Sequence, residues 1–146
     1  MPSHPSILLL DDSPGECELL RQALAQTGIN ALLYTEQDAE AALHLLRSHS
    51  ALPSLPSLIL LDWHLRHQSG DRLLKRFKAD PRIATIPVVV FTTSDDAGDL
   101  ASAYANGANG YVVKPALFAD LIQCVADICR FWLARNRIPD LVNSRC

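Results

Sequence analysis

Three aspartates, a threonine and a lysine stand at the ends of apolar runs. Asp62 closes Leu58-Ile59-Leu60-Leu61, Asp11 and Asp12 follow Ser6-Ile7-Leu8-Leu9-Leu10, Thr92 follows Val88-Val89-Val90-Phe91, and Lys114 follows Tyr111-Val112-Val113. Any one of them taken alone reads equally well as a solvated turn residue. Gathered at one place, the three carboxylates would repel each other unless a cation neutralised them, and hard oxygen ligands select Mg2+, with Mn2+ as the alternative. A lysine ammonium beside them would set positive charge against a phosphoryl group. A threonine hydroxyl can hydrogen-bond a phosphoryl oxygen. The inventory suits metal-assisted phosphoryl chemistry centred on Asp62.

These side chains meet only if the runs that carry them are neighbouring parallel strands. Runs too apolar to alternate are what a sheet covered on both faces requires, and the carboxyl edge of such a sheet is where α/β folds place their sites. The intervening segments read as helices. Ser13-Pro14-Gly15-Glu16 offers a cap, a proline at the first helical position and a glutamate able to close a capping box; Leu19, Leu20, Ala23, Leu24 and Thr27 then form an inward stripe, and Gly28 a stop. Ala31 to Thr35 is the second strand, and Thr35 is expected to cap a helix running to Ser48. His49 to Ser57, with Pro53 and Pro56, reads as an irregular loop. A helix with Leu73, Leu74 and Phe77 inside ends near Asp80-Pro81, another spans Asp96 to Asn106, and the last runs from Leu117 to Arg135. Five strands alternating with five helices, and no pair close enough for a hairpin, predict a parallel doubly wound sheet.

The chain has 146 residues, 49% of them hydrophobic, enough for one core and too few for two ordinary domains. A net charge of −3 with no basic stripe argues against nucleic acid as a partner. No apolar segment reaches the roughly 20 residues of a membrane span, and Met1-Pro2-Ser3-His4-Pro5 lacks the features of a signal peptide, so a cytoplasmic protein is expected. Cys17, Cys124, Cys129 and Cys146 contain no C-x-x-C pair and read as reduced thiols.

In order and spacing, Asp11-Asp12, Asp62, Thr92 and Lys114-Pro115, with Gly70 and Gly107-Ala108-Asn109-Gly110-Tyr111, resemble the receiver domain of two-component response regulators. The resemblance covers residues 6–135 as a receiver domain, leaving residues 136–146 as a C-terminal tail without an output domain. It implies a flavodoxin-like (βα)5 fold with strand order 2-1-3-4-5 and a cis peptide between Lys114 and Pro115. It also implies that Asp62 is the phospho-acceptor, taking its phosphoryl group from a sensor histidine kinase. Asp12 and Asp62 would bind Mg2+ directly, the His64 backbone carbonyl would be a third ligand, and Asp11 would act through water. Lys114 would neutralise phosphoryl charge, while Thr92 and Tyr111 would move together as the switch. Such a protein is no enzyme beyond its own phosphorylation and dephosphorylation. The tryptophan after Asp62, the strand end Phe91-Thr92-Thr93-Ser94 and the closing Phe131-Trp132-Leu133 are similar to the small regulators of bacterial and cyanobacterial phytochromes, which makes a bacteriophytochrome the expected kinase.

Two departures from the family pattern matter. Arg66 stands where a proline is frequent, so the loop after Asp62 is expected to be more mobile, and His64 and Ser94 occupy positions that tune acyl-phosphate lifetime in this family. Other classes fit less well. A haloacid-dehalogenase-type, Mg2+-dependent phosphatase needs a second aspartate where His64 stands, and Asp11-Asp12 would repel the phosphate of a flavin. A receiver acting only as a constitutive interaction module would not need the complete site. On the final helix, apolar residues sweep roughly 200° at about 100° per residue, of which Leu121, Val125, Ile128 and Trp132 satisfy the sheet. A leftover strip of Leu117, Cys124 and Phe131, or of Ile122 and Leu133, predicts a homodimer through the fourth helix, fifth strand and fifth helix; the alternative cover is the tail, with Ile138, Leu141 and Val142.

Overall fold

The computed structural model describes residues 4–48, 52 and 54–139. Expectations that fall on Met1 to Ser3, on part of the loop at Pro53, or on Leu141, Val142 and Cys146 lie outside the described residues. Five strands, β1 (Ser6–Leu10), β2 (Leu32–Glu36), β3 (Leu58–Leu61), β4 (Val88–Thr92) and β5 (Gly110–Val113), pair in parallel in the order β2-β1-β3-β4-β5. Helices α1 (Pro14–Thr27), α2 (Ala39–Arg47), α3 (Gly70–Ala79), α4 (Ala97–Ala105) and α5 (Phe118–Cys129) alternate with them, and a π-helical stretch, Arg130–Arg135, continues α5. The flavodoxin-like fold and its strand order are as expected. None of the described helices is long and apolar enough to cross a membrane.

The alternating side chains of each strand explain the unbroken apolar runs. Leu8, Leu10, Ile59, Leu61, Val88 and Val90 pack toward α2, α3 and α4, where they meet Leu43, Leu46, Leu74 and Phe77. Ile7, Leu9, Leu58, Leu60, Val89 and Phe91 pack toward α1 and α5, against Leu20, Leu24, Val125 and Ile128. With both faces covered, neither set can be polar.

Local signals end most helices where they were read. Ser13 Oγ accepts the Glu16 N–H at 3.2 Å, and Gly28 closes α1 with φ of 72°, a left-handed conformation that glycine adopts without steric cost. Three details differ. The cap of α2 is Asp38, whose Oδ2 accepts the Ala41 N–H at 3.0 Å, because β2 extends to Glu36 and leaves Thr35 inside the strand. Cys17 takes the inward place on α1 that Leu19 was expected to share, and Leu19 is exposed. Past Arg130 the wider π turn, with Asn136 N–H donating to the Phe131 carbonyl at 2.7 Å, breaks the 100° count, so Trp132 is only half buried.

Gly70 opens α3 under the ring of Trp63. A Cβ at this position would stand 2.5 Å from Trp63 Cε3 and 2.9 Å from its carbonyl oxygen, so Gly70→Ala must move the indole or the backbone. We expect this substitution to destabilise the fold by about 2 kcal/mol, as overpacked core sites do, read as a lower denaturant midpoint at unchanged m-value. An unchanged midpoint would mean that the indole moves aside freely.

Candidate phosphoryl-transfer site

The sheet register assembles the site. Leu10 of β1 pairs with Leu61 of β3, so Asp11 and Asp62 leave the sheet side by side, and Asp62 N–H donates to the Leu10 carbonyl at 2.9 Å. Leu61 pairs with Val90, which brings Thr92 to the same edge, and Thr92 pairs with Val113, which delivers Lys114 beside it. Lys114 N–H then donates to the Thr92 carbonyl at 2.8 Å. Carboxylate oxygens of Asp11, Asp12 and Asp62 all lie within 4.8 Å of one another. Three adjustable hard oxygen donors so close suit a small divalent cation, and these are the residues that would hold it.

The three carboxylates sit among different sets of partners. Lys114 Nζ lies 2.7 Å from Asp11 Oδ2 with both side chains almost wholly buried, and Glu16 Oε1 stands 3.8 Å from the same ammonium. Glu16 therefore does not complete the capping box; Ser13 N–H donates to Asp11 Oδ1 instead, at 3.0 Å. Asp12 Oδ2 accepts the backbone N–H of Arg66 at 3.0 Å. Burial pushes the Asp62 carboxyl above the usual aspartate range, and Asp11 adds to this, against the opposing pull of Lys114, the Thr92 hydroxyl and the His64 N–H.

His64 stays at the crevice through its backbone, while its imidazole turns away and donates Nε2–H to Asp99 Oδ2 at 2.7 Å. Ser94 Oγ donates to that same oxygen at 2.6 Å, and Tyr111 donates its hydroxyl to the Ser94 carbonyl at 2.9 Å. These hydrogen bonds, Ser94 first, hold the Asp99 carboxyl below its ordinary range. The loop after β3, expected to be mobile for want of a proline, is tied at both ends: Arg66 N–H reaches Asp12, and His64 faces Ser69 in an isolated antiparallel bridge. Asp99 and the Arg66 contact were missed by sequence reasoning. An aspartate in a helix's first turn looks like ordinary dipole compensation, and nothing local marks it as a partner 35 residues from His64.

The described residues contain no cis peptide bond, so the expected cis Lys114-Pro115 is corrected to trans. X-Pro bonds prefer trans by about 0.5–1 kcal/mol, and the trans chain already carries Lys114 Nζ to Asp11. The thiols of Cys17 and Cys129 are raised chiefly by burial, Cys129 to about 11, as suits inert reduced cysteines.

The sequence pattern of the response regulator receiver domain matches residues 7–126. Response regulator Rcp1 of Synechocystis sp. is 33% identical over 135 residues, covering 91% of this chain and 92% of its own. A probable methanogenesis regulatory protein, FilR2 of Methanothrix harundinacea, is 39% identical over 134 residues, covering 91% of this chain and 86% of its own. Among solved structures, the phosphorylated cyanobacterial phytochrome response regulator RcpA superposes with a TM-score of 0.84 at 34% identity, over 94% of this chain and 100% of that one. The Mn2+-bound form of Rcp1 gives 0.79 at 33% identity, over 93% and 99%.

Proposed function

Since the chain belongs to the response regulator receiver domain family, we propose that it accepts a phosphoryl group on Asp62 from the phosphohistidine of a sensor histidine kinase. The observation that carries this reading is the convergence of Asp11, Asp12 and Asp62 within 4.8 Å at the edge where Lys114 also arrives. An Asp62 oxygen attacks phosphorus, the phosphorus–nitrogen bond to the kinase imidazole breaks, and its electron pair leaves with the ring nitrogen. A divalent cation, Mg2+ or Mn2+, held by Asp11, Asp12 and Asp62 would neutralise charge on the phosphoryl oxygens. The buried Lys114 ammonium, oriented by Asp11, supplies a second fixed positive charge. The Thr92 hydroxyl, already turned toward Asp62, is placed to follow the phosphoryl group, and Ser94 passes that displacement to Tyr111.

Likeness to the phytochrome response regulator RcpA favours a phytochrome pathway with a bacteriophytochrome kinase. FilR2 carries another pathway's name, so that likeness supports the receiver chemistry alone. The dimer through α4, β5 and α5 remains part of this proposal. Leu100, Tyr104 and Val113 on α4 and β5, Leu117 at the cap of α5 and Phe131 in the π turn are exposed, whereas Ile122, Cys124 and Leu133 pack toward the core. Ile138, at the start of the tail, is itself exposed.

Incubation with Mg2+ and acetyl phosphate, read by intact mass, should add one hydroxylamine-labile phosphoryl group. A protein left unmodified under conditions that label another receiver would sink the reading in favour of an interaction module. Sedimentation with and without the donor tests the dimer, which a strict monomer in both states would exclude.

A further inference from the structure

Asp12 is already occupied by its own chain. Its Oδ2 accepts the Arg66 N–H at 3.0 Å, and Arg66 Nε lies 3.6 Å from that same oxygen. One residue of the loop between β3 and α3 thus brings both a backbone donor and a positive charge to the end of β1. We propose that Arg66 is an intramolecular competitor for Asp12, setting how tightly this receiver holds its divalent cation. The proposal rests on the reading of Asp12 as a metal ligand.

A carboxylate oxygen that accepts a charge-assisted hydrogen bond and faces a guanidinium has less negative potential to offer a cation. The two contributions differ in size. The guanidinium is 78% exposed and its contact is long, so it counts as a surface ion pair, screened by salt. The N–H bond is shorter and fixed by the backbone, and it is the larger contribution. The pair on Asp11 is different in kind, because Lys114 is buried and cannot swing into solvent. Arg66 can leave. Cation binding at Asp12 and the position of the β3–α3 loop are therefore linked, and by reciprocity anything that draws the loop outward raises cation affinity.

The test is a Mg2+ titration of the full chain followed by Trp63 fluorescence, with Trp132 as constant background, in wild type, R66A, R66P and D12N. R66A removes the guanidinium and keeps the N–H; R66P removes both, since proline has no N–H. The dissociation constant should fall about threefold in R66A at low salt, less at high KCl, and about tenfold in R66P. Wild-type affinity in both, with D12N binding weakly, overturns the competitor while leaving the site reading intact. So does an R66P no tighter than R66A. D12N binding as wild type would remove the site reading and this proposal together. Thermal melts without metal check folding; should R66P melt early, the R66A titration at low salt decides alone, and no tightening there overturns the proposal.

Discussion

Asp62→Asn should lose phosphorylation by acetyl phosphate altogether, a drop of more than about two orders of magnitude, because the amide has no anionic oxygen to attack phosphorus. The same variant should be more stable than wild type at neutral pH without metal. Burial raises the Asp62 carboxyl in the folded state, so the folded protein holds that proton more tightly than the unfolded chain. The resulting stability is fully present below the unfolded value and is lost as pH rises through the raised folded value. Asparagine never suffers that loss. The melting-temperature gain of D62N in EDTA should therefore be clear at pH 7 and shrink toward nothing below the ordinary aspartate range. Phosphate incorporated at normal speed in D62N would remove Asp62 as acceptor, and a lower neutral-pH melting temperature would mean that burial is not what raises it.

Lys114→Ala should cost about 3 kcal/mol of folding stability in the absence of metal, the lower end of what breaking a buried ion pair costs. Asp11 is 1% exposed and would keep only the Ser13 N–H as donor, so its charge would be left nearly uncompensated. The expected value sits at the lower end because a cleft of about 390 Å³, lined by Leu19, Phe91, Leu117 and Phe118, opens beside Lys114 and lets water approach. Mg2+ should restore part of the loss by bringing positive charge back to the same carboxylates. A control is the pair of Arg130 and Asp127, both two-thirds exposed at 3.7 Å, where Asp127→Ala should change the midpoint by less than about 1 kcal/mol. A wild-type denaturation midpoint in K114A would show that the ammonium and Asp11 do not depend on each other. Phosphorylated K114A should also transmit little change to Tyr111.

Features that depend on a few neighbouring residues were legible in the chain before it folded. Unalternating apolar runs demanded a sheet covered on both faces, Ser13 and Asp96 announced helix starts, Gly28 announced a stop, and the polar residues ending four runs identified the edge where the site lies. Those signals are local because capping, left-handed glycine and strand periodicity are properties of short segments. Which charges pair was settled by the folded arrangement. Lys114 reaches Asp11 across 103 residues, Arg66 reaches Asp12 across 54, and His64 chooses Asp99 across 35. The order of strands in the sheet was legible through the family resemblance, but the rotamers that make these pairs were not. For the exposed pairs of Arg66 and His64, swapping one partner for another changes energies by about 1 kcal/mol, and no local pattern encodes any of the three. The same holds for Cys17 turning inward while Leu19 lies exposed, and for α2 starting at Asp38 after β2 ran on to Glu36. Where one segment ends is settled by what packs against it, and the chain reveals that only when folded.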